Sequence, residues 1–284
     1  MSVAAATTGM SLSKKRVALD GLLREKLADG LIVAFSGGVD SAFLLWAAEH
    51  ERRRSGGRLL ALTTQSASFS QAERTDVDAF IAAHDIPHVY HDSQELLDPK
   101  YLVNDSSRCF HCKSELFRIC HEVAAERGFT SIAYGFNASD RGDHRPGHKA
   151  AMENGILSPL ADAELTKDDI RELMRQNGLD LADKPASPCL SSRLMTGVQI
   201  TTQKLKEIEE LETVLRDGGL KVFRVRVHET NGSKFLRLEV APDEMALAFE
   251  LRDSFTTTAK DLGFRWVTLD LDGYKTGGGN VVSR

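Results

Sequence analysis

The run Leu31-Ile-Val-Ala-Phe-Ser-Gly-Gly-Val-Asp-Ser41 constrains the fold of this chain more than any other stretch. Its apolar half reads as a buried strand. Ser36-Gly-Gly turns that strand at once into a helical run through Phe43, Leu44, Trp46 and Ala47. Small residues between a strand and a helix start let backbone N–H groups converge, and the unpaired donors of the first helical turn point at the same spot. Such a corner suits phosphate. No Lys follows the glycines, so the corner is not the Walker loop of motor and switch proteins. The competing reading is a purely structural Gly-Gly turn.

The chain beyond the corner fits an α/β unit. Arg58–Thr63 reads as a second strand, His88–His91 as a short third and Ser131–Tyr134 as a fourth. Between them, Ser70-Gln-Ala-Glu73 has the spacing of a capping box, with Val77, Phe80 and Ile81 behind it at helical intervals. A helix is expected from about His111 to Arg127, stopped by Gly128, and another opened by Thr166-Lys-Asp-Asp169 and closed before Gly178. Strands alternating with helices imply a doubly wound parallel sheet covered on both faces, with ligands beyond the carboxyl ends of the strands. Those ends carry Ser36-Gly-Gly, Thr63-Thr-Gln-Ser66 and Gly135-Phe-Asn-Ala-Ser-Asp140.

The period changes after about Thr196. Thr201–Asp217 reads as a charged amphipathic helix, Val222–His228 and Phe235–Val240 as alternating strands around an Asn231-Gly232 turn, Pro242 to about Leu262 as a helix, and Phe264–Leu271 as a last strand. The expected organisation is a loose tail over 1–15, an α/β domain over 16–196, a smaller α+β domain over 197–276 and a Gly277-Gly-Gly279 tail over 277–284.

Composition bounds the partners. The 284 residues carry a net charge of −5, which weighs against a protein that coats nucleic acid. No apolar run reaches the ~18 residues of a membrane span, and the basic residues Lys14, Lys15 and Arg16 come after rather than before the short apolar run near the start. Cytoplasmic residence is therefore expected, and with it reduced thiols among the four cysteines.

Cys120 falls in register with Leu116, Phe117, Val123 and Ala124 and is expected in the core. Cys109-Phe-His-Cys112 is a C-x-x-C pair at a helix start, and Cys189 lies in a loop beside Ser192 and Arg193. Two close thiols and a distant one are compatible with a zinc site completed by His111, with a [4Fe–4S] cluster that leaves one iron open, or with a redox dithiol. In the second domain Arg224 and Arg226 share one face of an alternating strand, with Val225 and Val227 on the other. Two adjacent guanidiniums suit a phosphate or carboxylate, yet also suit the solvated face of an antiparallel sheet. Ser192 and Arg193 form a second candidate anion contact. Glu212 and Asp243 either orient the arginines or are ordinary surface carboxylates.

With these residues in view, the chain resembles the LarE family of ATP-dependent sulfur transferases, within the pyrophosphatase-loop superfamily of Rossmann-like ATPases. The resemblance runs from about Lys15 to Tyr274. It rests on Ala34-Phe-Ser-Gly-Gly-Val-Asp-Ser41, Arg108-Cys-Phe-His-Cys-Lys113, Gly135–Asp140, Pro188-Cys-Leu-Ser-Ser-Arg193 and Arg224-Val-Arg226.

The resemblance implies adenylation of a carboxylate of pyridinium-3,5-biscarboxylic acid mononucleotide, loss of pyrophosphate and capture by sulfur, a step toward the nickel-pincer nucleotide of lactate racemase. It further implies ATP and Mg²⁺ at Ala34, Ser36, Gly37, Gly38, Asp40, Ser41, Thr63, Asn137 and Asp140, with Asp40 and Cys189 catalytic. The substrate would be held by Ser192, Arg193, Glu212, Arg224, Arg226 and Asp243. Family members with one cysteine in the Cys189 region give up its sulfur. Members with three cysteines hold a [4Fe–4S] cluster, and Cys109, Cys112 and Cys189 resemble the latter. Sulfide or another sulfur donor would be a partner, and a homo-oligomer is expected. The rivals are a tRNA thiolase, a non-catalytic adenine-nucleotide-binding protein and a structural zinc protein with a vestigial loop.

Overall fold

A computed structural model describes residues 10–142, 146–185, 187–230 and 232–275. Asn231 of the expected hairpin turn and the Gly277–Gly279 segment lie outside them.

Helix α1 (Leu12–Asp29) comes first, so residues 12–15 are helical rather than tail. Its buried stripe is Leu19, Leu23 and Leu27, spaced by one helical turn. Three leucines among charged residues give a pattern too weak to announce a helix. Strand β1 (Leu31–Ala34) is buried throughout and leads into α2 (Val39–Ser55). Then come β2 (Leu59–Gln65), α3 (Gln71–His84), β3 (His88–Asp92) and the short α4 (Pro99–Leu102), which Asp98 caps by accepting from the Lys100 N–H. Helix α5 (Arg108–Arg127) carries the C-x-x-C pair at its N-terminal end. Strand β4 (Ser131–Tyr134), a tight turn over Ala138–Gly142, α6 (Pro146–Glu153) and α7 (Pro159–Asp162) come next. Helix α8 (Lys167–Gln176) opens on the expected capping box: Thr166 accepts from the Asp169 N–H, and the Asp169 side chain accepts from the Thr166 N–H.

After a helical turn at Leu190–Arg193 come α9 (Thr202–Asp217), β5 (Phe223–Thr230), β6 (Ser233–Val240), α10 (Met245–Glu250), α11 (Arg252–Asp261) and β7 (Trp266–Leu269). The single helix expected from Pro242 to Leu262 is divided into α10 and α11 near Leu251, whose side chain lies where a Cβ on Gly218 would stand, 2.4 Å from it.

The chain divides into two compact units. The first comprises Met1–Thr64, Glu73–His91 and Leu116–Ala186; the second comprises Gln65–Ala72, Asp92–Glu115 and Ser187–Arg284. In the first, a four-stranded sheet runs β3-β2-β1-β4, flanked by helices, with β1 parallel to both β2 and β4. In the second, a three-stranded mixed sheet runs β5-β6-β7. Strands β5 and β6 are antiparallel, and β7 returns parallel to β6 after α10 and α11. The core of this unit joins Leu205, Ile208, Leu211 and Leu215 of α9 to Val225, Val227, Leu236 and Leu238 of the sheet. The change of period near Thr196 does not mark the division. The cysteine loop from Ser187 and the segment bearing C-x-x-C both group with the later sheet.

Candidate functional site

The residues singled out in the sequence fall into two centres, one in each unit. In the first unit β1 delivers Ser36-Gly-Gly to the start of α2. Gly37 has φ +70, and a Cβ there would come within 3.0 Å of Val77 Cγ2, so the position calls for glycine twice over. Ser41 ties the loop back on itself: its hydroxyl donates to the Gly38 carbonyl at 3.0 Å and accepts from the Ser36 N–H at 3.3 Å. The end of β4 presses against the same corner. A Cβ on Gly135 would stand 2.6 Å from the Ser41 nitrogen and 2.9 Å from the Asp40 carbonyl carbon.

Two lysines from far along the chain reach this corner. Lys184 donates to the Gly37 carbonyl at 2.8 Å and pairs with Asp76 at 2.7 Å. Lys167 Nζ meets Asp40 Oδ2 at 2.7 Å. The other oxygen, Asp40 Oδ1, is buried with no hydrogen-bond partner among the described residues. No lysine follows the glycines in sequence; the lysines that serve the loop arrive by folding.

The remaining nucleotide candidates shape the strand ends. Ala34 is buried as the last residue of β1. Buried Thr63 donates its hydroxyl to the Phe35 carbonyl at 2.8 Å and is bonded to His88 Nε2 at 2.9 Å. Buried Asn137 accepts from the Ser139 N–H at 2.9 Å, and Asp140 Oδ2 accepts from the Asn137 N–H at 3.4 Å, so the two side chains fold the turn after β4.

The second unit holds all three non-core cysteines. Cys120, by contrast, is fully buried in α5, as its spacing implied. Cys109 is exposed, whereas Cys112 and Cys189 are partly covered. Burial raises the Cys112 thiol pKa well above its usual range; a hydrogen bond to Glu95 and the charges of Glu95 and Cys189 add to this. Nothing in the sequence pattern singles out Glu95. It is buried and its Oε1 accepts from Ser66 at 2.6 Å, Ser68 at 2.5 Å and Tyr101 at 3.3 Å. The Tyr101 hydroxyl is also bonded to Ser191 at 2.6 Å, and Arg108 donates to the Ser191 carbonyl at 2.9 Å and to Cys109 Sγ at 3.7 Å. The start of α5 and the Cys189 turn are thus held to one another. His111 faces Asp98, its Nδ1 3.5 Å from the carboxylate.

Two of the thiols lie near Arg108, whose guanidinium feels the charges of both Cys109 and Cys189. Yet no three His, Cys, Asp or Glu side chains stand together as metal ligands among the described residues. The donor set therefore fits an iron–sulfur cluster in kind, because thiols are its ligands. The sulfurs are not already drawn together around one.

The arginines are placed otherwise than a solvated sheet face would have them. Strand β5 is buried on both sides from Phe223 to Val227, and Arg224 and Arg226 are only 6% and 5% exposed. Arg226 pairs with Glu239, its Nη2 at 3.0 Å, and donates to the Ser192 carbonyl at 2.9 Å. Arg224 lies over the Tyr274 ring, 4.9 Å from its centroid. Burial lowers its pKa, and repulsion from Arg193 and Arg226 adds to the effect against Tyr274 and Glu212.

Arg193, a candidate anion contact in the sequence, clamps the Cys189 turn. Its Nε and Nη2 grip Glu212, and its Nη1 donates to the Pro188 and Cys189 carbonyls and to Ser192. Glu212 orients Arg193. Asp243 does not: it is exposed in the turn before α10, and no bond joins it to the arginines among the described residues. Glu239, which bridges Arg226 and Arg237, takes that part and is not among the residues expected from the sequence. Its position in β6 opposite Arg224 was the available signal.

Strand, glycine loop and helix start in the first unit, with three thiols and buried arginines in the second, mark an α/β protein with a separate small mixed sheet. No protein-family model matches the chain. Curated relatives do match. An uncharacterized protein of Synechocystis is 35% identical over 89% of this chain and 93% of its own length. The pyridinium-3,5-bisthiocarboxylic acid mononucleotide synthase of Lactiplantibacillus plantarum is 29% identical over 94% of each. An uncharacterized protein of Methanocaldococcus jannaschii is 27% identical over 94% of this chain and all of its own. The chain belongs to the LarE-like family that these relatives represent.

Proposed function

We propose that this protein is an ATP-dependent sulfur transferase that converts a carboxylate of pyridinium-3,5-biscarboxylic acid mononucleotide to a thiocarboxylate. The observation that carries the reading is the gathering of thiols and buried arginines in one unit of a chain that aligns over 94% of its length with the Lactiplantibacillus synthase. The first unit is read as a doubly wound pyrophosphatase-loop domain.

A carboxylate is a poor acyl donor because its leaving group would be oxide. Attack of the carboxylate oxygen on the α-phosphorus of ATP forms an acyl adenylate and expels pyrophosphate. The backbone donors of Ser36–Ser41 grip the departing pyrophosphate. Asp40 Oδ1, an acceptor with no partner among the described residues, is the atom that would hold Mg²⁺, which spreads phosphate charge when bound. Sulfur then attacks the acyl carbon, and AMP leaves with the original carboxyl oxygen.

In the second unit, Arg224 and Arg226 bind the phosphate of the mononucleotide. An anion there relieves the repulsion that Arg224 suffers from Arg193 and Arg226. Cys109, Cys112 and Cys189 would hold a [4Fe–4S] cluster, whose open iron supplies an exchangeable position for sulfide. Arg193 and Tyr101 fix the turn that carries Cys189, so that its sulfur is presented from a rigid base.

Anaerobic incubation with ATP, sulfide and the pyridinium mononucleotide tests this. Pyrophosphate, AMP and a product with sulfur in place of oxygen are expected together. Nucleotide binding without pyrophosphate would mark a nucleotide-binding protein, and sulfur gained by tRNA instead would mark a tRNA thiolase.

A further inference from the structure

We propose that Lys167 is a phosphate-contacting residue of the nucleotide site, exchanging Asp40 for a β- or γ-phosphate oxygen when a cation takes Asp40. This rests on the proposed nucleotide site and adds to it a residue that no part of the loop motif contains.

The loop has a charge problem. Ser36–Ser41 contains no cation, and its one charged residue, Asp40, has the same sign as the phosphates. A triphosphate settling against that carboxylate needs positive charge both on Asp40 and on its own oxygens. Lys167 already stands on Asp40, with Nζ 2.7 Å from Oδ2. The buried Asp40 Oδ1 has no partner among the described residues, so the carboxylate retains an acceptor for a second cation. Once a divalent ion neutralises Asp40, the amine's best partner becomes the phosphate beside it.

The placement of Lys167 is built, and its head is free to turn. Its backbone N–H donates to Ser139 Oγ at 3.1 Å, and Ser139 N–H donates in turn to Asn137 Oδ1. The residue opens α8 behind the Thr166–Asp169 capping box, which Lys15 braces through a 2.6 Å pair with Asp169. Its side chain nevertheless remains 35% exposed. An ammonium on a flexible stem carries three rotatable donors, so exchanging a carboxylate for a phosphate oxygen needs no backbone motion.

Lys184 differs. Its head is 16% exposed and held on two sides, by the Gly37 carbonyl and Asp76, so it braces the loop.

Calorimetric titration of the full chain with pyrophosphate and, separately, with AMP tests the assignment, in buffer containing Mg²⁺. Wild type is compared with Lys167→Ala, Lys167→Gln and Lys167→Arg. The expected result is pyrophosphate binding weakened roughly 10- to 100-fold in Lys167→Ala and Lys167→Gln, the range of a lost charge-assisted hydrogen bond. AMP binding should be unchanged, and Lys167→Arg should recover part of the loss. Unchanged pyrophosphate binding, or equal weakening of pyrophosphate and AMP, overturns the assignment while leaving the nucleotide site in place. If wild type binds neither compound, the nucleotide reading itself fails and the proposal falls with it.

Discussion

Arg193 and Glu212 form a two-pronged ion pair inside the second unit, with Nε to Oε1 at 2.8 Å and Nη2 to Oε2 at 3.0 Å. Both side chains are buried, 5% and 4% exposed. The pair fastens α9 to the turn that carries Cys189, because Arg193 also bonds the carbonyls of Pro188 and Cys189. Removing the acid alone leaves a guanidinium buried without its counter-charge. Glu212→Ala should therefore destabilise the chain by about 3–5 kcal/mol, and Glu212→Gln by less. Urea unfolding midpoints check this. A pair that contributed only surface charge would shift them within about 1 kcal/mol.

Gly135 closes the phosphate corner from the side of β4. A methyl group there would meet the Ser41 nitrogen and the Asp40 carbonyl carbon, both backbone atoms that cannot rotate away. Gly135→Ala should push α2 from the loop, at a cost of about 1–3 kcal/mol for overpacking. Pyrophosphate binding should weaken at a temperature where the variant is still fully folded by its melting curve. Equal binding in both proteins would show that the loop tolerates the shift.

Much of the fold is legible in the sequence because its signals are local. Ser131–Tyr134 has the bounds its apolar run implies, and Thr166/Asp169 form the expected capping box. Both are set by a few adjacent residues. Helix α1 is obscure because tertiary burial, not a strong stripe, defines its face. The direction of β7 is hidden because alternation is the same in parallel and antiparallel strands.

The site is legible where a motif carries it and obscure where folding assembles it. Ser36–Ser41 and the three cysteines announce themselves. Glu95 does not: Ser66, Ser68 and Tyr101 converge on it from separate parts of the chain. Lys167 reaches Asp40 across 127 positions, beyond any spacing rule. Arg193 stands in a telling motif, but its bonds to Glu212 and to the Pro188 and Cys189 carbonyls, which hold that motif in shape, follow from no spacing.

The thiols offer a separate test. If Cys109, Cys112 and Cys189 hold a [4Fe–4S] cluster, anaerobic reconstitution should give about four irons per chain. Cys109→Ala should abolish the bound iron, whereas Cys120→Ala should leave it unchanged, since Cys120 is a core residue of α5. Zinc bound in place of iron would sink the cluster assignment. A loss of about 34 Da from wild-type protein after turnover would instead mark Cys189 as the sulfur donor, by the arithmetic of cysteine to dehydroalanine.

Acid should weaken the fold in a window set by histidines. Burial lowers the pKa of His84, His88 and His228. His88 bonds Thr63 Oγ1 at 2.9 Å and meets the Tyr90 ring edge-on, 4.5 Å between centroids. Between the folded values and the unfolded value of ~6.5, the unfolded chain binds more protons than the folded one. Stability is thus fully present above ~6.5 and declines as pH falls below it. Paired carboxylates act lower. Burial raises the pKa of Glu49, but bonds from Arg52 and Arg53 outweigh it, so its contribution is lost only below the unfolded value of ~4.3. Urea midpoints at pH 7, 6 and 5 should therefore fall steadily in wild type. His88→Gln keeps a polar partner for Thr63 without a titrating ring, and its midpoints should fall less steeply across the same interval. Identical slopes in the two proteins would remove His88 from the acid response.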